Sequence, residues 1–330
     1  MKFLSIAAFS SIAAIGLSAQ VHAADVTLRL ASVATESSPW APSQEVFKKE
    51  LEKRTNGKVT IQIFNNNTLG SNREALELAK AGNIDFVLSG LAHASRFAPQ
   101  LNAVLFPYMW KDRETMFKVL DGEAGRKLSD TLKSSNMSII GWWDNGFRHV
   151  SNNKRPINKV EDLKGLKLRT LPSSVHVAFF KALGAVPTPM DFAELMPALQ
   201  QGVLDGQENP PGVVHPFRIF EVQKFYSLTG HVNEPMIVVM SEGVRAKLGP
   251  ENMKAVEEAI AVATEYERKV NDEKSAELMK LLSTSMTIND VPPETLAEFR
   301  RIAREIYDAA IADLGPGGKD IVDVIVAANQ

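Results

Sequence analysis

Apolar and polar residues alternate along VTLRLAS (Val26–Ser32), with Val26, Leu28 and Leu30 on one face, and this period of two predicts a half-buried strand. VTIQIF (Val59–Phe64) repeats the pattern, and IDFVLSG (Ile84–Gly90) reads as a third strand. Between them the spacing becomes helical, from about Pro42 to Arg54 and from about Asn72 to Ala81, the second helix closed by Gly82. Further on, MSIIGWW (Met137–Trp143), LKLRTL (Leu166–Leu171) and PMIVVMS (Pro235–Ser241) read as strands, the last apolar throughout and therefore central. Ser173–Gly184 reads as a helix with a Ser cap and a terminal Gly, and Phe192–Gly202 as one in which Pro197 demands a kink or a late start. Almost nothing breaks a helix from Pro250 to about Ser285. A single helix of ~33 residues there would run about 50 Å and cross two domains; a break near Val270–Asp272 is the alternative. MTIND then returns as a strand, followed by a helix ending at Gly315 and a terminal helix. Strands alternating with helices imply parallel crossovers and an α/β fold.

The 330 residues, 45% hydrophobic and 23% charged with net charge −2, are the composition and length of two globular domains or one large one. With neither a basic excess nor a block of like charge, nucleic acid and anionic membrane are poor matches as partners. The N-terminus changes the picture most. Lys2, an apolar run from Phe3 to Leu17 and the ending Val21-His22-Ala23 have the form of a secretory signal peptide, with cleavage expected after Ala23. The run is broken by serines and falls short of the ~20 residues of a membrane span, so an exported protein is expected.

Cysteine is absent, which removes cysteine nucleophiles, thiolate zinc sites and iron–sulfur clusters. Histidines 93, 149, 176, 215 and 231 show no H-E-x-x-H or i, i+4 spacing, and each reads as solvated or satisfied in the core. There is no G-x-S-x-G elbow, and GPGGKD (Gly315–Asp320) lacks the spacing and the Ser or Thr of a phosphate loop. No metal or cofactor is expected, and the balance moves from enzyme toward binding protein.

Two arginines hold the remaining chemistry. Arg169 lies in the strand of GLKLRTLPS just before a helix, at the carboxyl end where open α/β sheets bind ligands. Its planar fork matches a carboxylate, supplied either by a ligand or by an acidic side chain of the protein. Arg148 lies at the edge of a second apolar run.

The segments DNGFRHVSNNKRPINKVEDLKGLKLRTLPS, GAVPTPMDFAELMPALQQGVLDGQENP and EVQKFYSLTGHV resemble, in order, the signature segments of the TRAP-transporter (tripartite ATP-independent periplasmic) solute-binding proteins of DctP type. NNTLGSNREALELAKAGNIDF resembles the early part of that pattern, so the likeness covers essentially the whole mature chain. It implies a two-lobed periplasmic-binding-protein-like fold, two α/β domains about a central cleft with hinge strands and a long domain-spanning helix. The expected lobes are residues 24–145 with about 234–272, and about 146–233 with 273–330. The resemblance makes Arg169 the clamp on a ligand carboxylate and adds Arg148, Asn209 and Phe192 to the site. Asn72 and Glu77, on the helix after LGSN, and Asn233, near the hinge, complete the expected set, although Asn72 and Glu77 also suit a solvated helix face. The expected ligand is a small organic acid, a hexuronate first, a C4-dicarboxylate second and sialic acid third. The expected partners are the membrane subunits of the permease, served by a monomer in the periplasm. An exported hydrolase or lyase using the same cleft is the competing class.

Overall fold

The computed structural model describes residues 24–329, so the expected signal peptide and its cleavage point lie outside the described residues. The strands are β1 (Val26–Ser32), β2 (Val59–Phe64), β3 (Phe86–Gly90), β4 (Met137–Trp143), β5 (Phe147–Asn152), β6 (Lys167–Thr170), β7 (Val186–Pro189), β8 (Gly206–Asn209), β9 (Phe225–Asn233), β10 (Met236–Ser241) and β11 (Thr287–Asp290). They build two sheets, one ordered β2-β1-β3-β10-β4 and one ordered β11-β9-β5-β8-β6-β7. The chain passes between the sheets at 144–146 and again at 234–235.

Strand β10 is central and buried along its length, as its unbroken apolar run requires. It runs antiparallel to both β3 and β4, against the parallel expectation. The short link at 234–235 explains this: without a crossover helix the strand enters from the other sheet and lies down in the opposite sense.

The helix Asn72–Lys80 begins with a capping box, in which the Ser71 hydroxyl accepts from the Glu74 amide and the Glu74 carboxylate accepts from the Ser71 amide. Ser173 stands at the N-cap position of the helix Ser174–Ala182, but its hydroxyl contacts the Asn102 side chain at 2.7 Å and does not cap the helix. Pro197 produces the late start: Phe192–Glu194 is a single 3₁₀ turn and the α-helix proper is Leu195–Gln200, placing proline in a first turn whose amides have no intrahelical acceptor.

The longest helix, Gly243–Leu282, contains one non-helical residue, Gly249 (φ 70°), and is regular from Pro250 through Val270–Asp272 to its end. Val256, Ala259 and Ala263 pack it against the first lobe, while Leu282 shares an apolar cluster with Leu195, Leu199 and Tyr226 of the second. This one element therefore spans both lobes. The helix Pro293–Glu305 packs Phe299 and Ile302 with Phe179 and Phe180 of the second lobe. The terminal helix Gly318–Ala328 buries Ile321, Val322 and Ile325 in the first lobe's cluster, where the expected partition had assigned all of 273–330 to the second. Its apolar stripe finds complementary side chains at Leu101 and Val104.

Candidate functional site

Where the two sheets face each other, the carboxyl ends of β3, β6 and β8 surround a cavity with about 340 Å³ of empty space. Arg169, Arg148, Asn209, Phe192 and Asn72 line it, five of the seven residues expected from the sequence.

Arg169 is 1% exposed. Its Nε (3.2 Å) and Nη2 (2.9 Å) both donate to the carbonyl of Met190, while Nη1 is buried with no partner among the described residues. A guanidinium has five N–H groups in a plane, so this bifurcated contact occupies one edge and leaves the terminal Nη1/Nη2 fork facing the cavity. The Phe192 ring lies 6.0 Å from Cζ, within cation–π range. Burial, and next the charge of Arg148, pull the Arg169 pKa down to about 10, so the cation persists at neutral pH without a carboxylate bonded to it.

Arg148 lines the same cavity, but its charge is answered from within. Nε and Nη2 clasp the Glu208 carboxylate, with 2.9 Å from Nη2 to Oε1, and Nη1 donates to Glu234 at 2.9 Å. All three side chains are buried. Burial alone would raise Glu208, yet Arg148 and the His231 ring outweigh it and hold that carboxyl well below the usual range. At Glu234 burial wins over Arg148 and the pKa rises.

Three other polar side chains lining the cavity carry unpaired atoms. Asn72 Oδ1, Asn145 Oδ1 and both ring nitrogens of His93 are buried without hydrogen bonds among the described residues. Buried polar atoms are almost always satisfied, so a cluster of unsatisfied ones around a single cavity marks the space of a polar ligand. Burial draws His93 down to about 4, so it faces the cavity neutral, with one donor and one acceptor. The Asn209 side-chain amide donates to Gln207, and its backbone carbonyl accepts from the Tyr226 hydroxyl.

Two expected residues are not brought to the cavity. Glu77 is 46% exposed and faces Arg96 at 3.6 Å; five residues beyond Asn72 on a helix is a turn of about 140° to the other side. Asn233 is buried in β9 and reaches Asp144 at 3.5 Å, beside the interlobe crossings. The histidine expectation also needs correction: His231 is satisfied by Thr229 and Glu208, but His93 and His176 have neither nitrogen paired. His176, Glu208 and His231 bring ligand atoms within 4.8 Å of one another, though Arg148 already supplies the cation to that carboxylate. His93, Asn145 and Glu234 went unforeseen. The available signal was position, since each follows within three residues of a strand end.

The lobes also touch across the cleft. The Asp191 carboxylate accepts from the Arg73 amide at 3.2 Å and lies 3.9 Å from the His93 ring.

The sequence profile of the bacterial extracellular solute-binding proteins, family 7 (DctP), matches residues 30–313. A solute-binding protein of Verminephrobacter eiseniae is 36% identical over 269 residues, spanning 81% of this chain and 80% of its own. A TRAP periplasmic solute-binding protein of a Sulfitobacter species, solved with bound β-D-galacturonate, superposes with TM-score 0.86 at 29% identity, covering 91% of this chain and 99% of the other. That of Sulfurospirillum deleyianum, with bound succinate, gives 0.86 at 31% identity over 92% and 99%.

Proposed function

The chain belongs to the bacterial extracellular solute-binding proteins, family 7, and from that premise we propose that it captures a small organic acid on Arg169 and delivers it to the membrane subunits of a TRAP permease. The family is a class of transport receptors and not of catalysts, which removes the hydrolase or lyase alternative. Its members work in the periplasm; this chain reaches it through a signal peptide cut after Ala23 and acts there as a monomer.

One observation supports the reading above all others: a buried guanidinium whose terminal fork has no partner and faces a cavity between two lobes. Each charge-assisted hydrogen bond contributes ~1.5–3 kcal/mol, so a bidentate clamp with a few polar contacts reaches the ~8–11 kcal/mol of micromolar to sub-micromolar binding. Closure of the lobes excludes water and strengthens the clamp, and the closed form is the one the permease recognises.

For the acid, the reading is a hexuronate such as D-galacturonate or D-glucuronate. Asn72 Oδ1 and Asn145 Oδ1 are acceptors that need O–H donors, which a sugar acid carries and a plain diacid lacks. The Sulfitobacter relative was solved with galacturonate. A C4-dicarboxylate is the second reading, supported by the succinate in the Sulfurospirillum relative.

A thermal-shift panel of uronates, aldonates, dicarboxylates and sialic acid tests this. An acid at a hundredfold its Kd adds ~2.7 kcal/mol, roughly 4 °C for a chain of this size. Stabilisation by uronates is the expected result; no stabilisation by any acid would refute the receptor reading.

A further inference from the structure

We propose that Glu234 makes this site selective for monocarboxylates over dicarboxylates, by holding Arg148 away from any second ligand carboxylate. The inference rests on the receptor reading above and narrows its substrate class.

Arg148 and Arg169 are the only Lys or Arg side chains lining the cavity among the described residues. Nothing bonded to Arg169 is anionic. Arg148 differs: of its five N–H groups, the Nε bond to Glu208, the two Nη2 bonds to the side chain and carbonyl of Glu208, and the Nη1 bond to Glu234 leave one. Glu234 is locked in turn. Oε2 accepts from Arg148 and Oε1 accepts from the Ala92 amide at 3.0 Å, so both oxygens face donors that cannot themselves accept, the arrangement of an ionised carboxylate. Gly90 permits this approach, since a Cβ there would stand 3.0 Å from Glu234 Oε1 and 3.3 Å from His93 Nδ1.

A ligand with one carboxylate therefore meets one cation with a free fork. A second carboxylate meets a guanidinium already shared by two acids, with the Glu234 carboxylate itself in the wall and Asp191 beside His93. Bringing like charges together in a desolvated site is strongly unfavourable.

The test is calorimetric titration of the full mature chain at pH 7 with pairs of acids on one carbon skeleton: galactonate against galactarate, and 4-hydroxybutyrate against succinate. In each pair that binds, the monocarboxylate should bind at least about tenfold tighter. In Glu234→Gln, which frees one Arg148 contact from a charged partner while keeping the shape, that ratio should narrow by about tenfold or invert. A merely structural role would weaken both members of a pair alike and leave the ratio unmoved. A wild-type preference for the dicarboxylate, or an unchanged ratio in Glu234→Gln, overturns the inference and leaves the receptor reading intact. If the variant fails to fold, the wild-type ratio alone decides. Absence of binding to every acid overturns the receptor reading and this inference with it.

Discussion

Arg169 and Arg148 sit in one cavity, equally buried, and differ only in who answers their charge. The difference predicts two opposite outcomes at position 169. Lysine there would keep a charge but lose the planar fork, and calorimetry should show binding weakened by at least ~2 kcal/mol, because the ligand carboxylate stays buried and partly unpaired. Arg169→Met should abolish binding yet raise the unfolding free energy of the unliganded protein in urea denaturation by about 1 kcal/mol or more, because it removes a buried cation with an orphan Nη1. Arg169 was legible from its place at a strand end before a helix, and Phe192 and Asn209 from the resemblance. Glu234 and His93 were not, because neither its neighbours in sequence nor its spacing says which polar groups meet across a cleft. Glu77 shows the converse: it shares a helix with Asn72 but not a face.

Strand β8, GQEN, carries both Glu208 and Asn209 into the site, and its register depends on Gly206. A Cβ at Gly206 would come within 2.1 Å of the Ser151 carbonyl oxygen and 2.7 Å of Asn152 Cβ, so β8 would have to leave β5. Gly206→Ala should cost more than about 2 kcal/mol in urea denaturation and weaken acid binding in the same variant. This strand was invisible to periodicity because it has no apolar residue at all; it is buried for its ion pairs and hydrogen bonds. Strand β7, VPTP, was hidden for another reason, since proline marks non-strand unless the strand lies at an edge, which β7 does. The strongly periodic elements, β1, β2, β4 and β10, and the long helix after Pro250 were readable because each carries an unbroken apolar pattern.

Across the whole molecule, buried histidines tie stability to pH. His176 is 0% exposed, and burial pulls its pKa down to about 3. The unfolded chain takes up this proton near pH 6.5 while the folded protein does not, so stability falls as pH drops below 6.5. By pH 5 the loss from one such group is about 2 kcal/mol. Glu267, raised well above its ordinary value by burial and next by Asp144, acts with the opposite sign, so the clean measurement is a difference. The fall in stability between pH 7 and pH 5 should be about 2 kcal/mol smaller in His176→Leu than in the wild type; equal falls would show that His176 titrates normally. The two-lobed architecture was legible from the alternation of strands and helices together with the resemblance. The return of the terminal helix to the first lobe was not, because an amphipathic stripe states that it needs a partner and not which one.

A crystal structure of the protein with D-galacturonate, or with whichever acid stabilises it most, tests the central claim most directly. The expected result is the ligand carboxylate bonded in parallel to Nη1 and Nη2 of Arg169, with the Met190 carbonyl still on the other edge. A carboxylate seated elsewhere, with the Arg169 fork turned to solvent or to an acid of the protein, would contradict it.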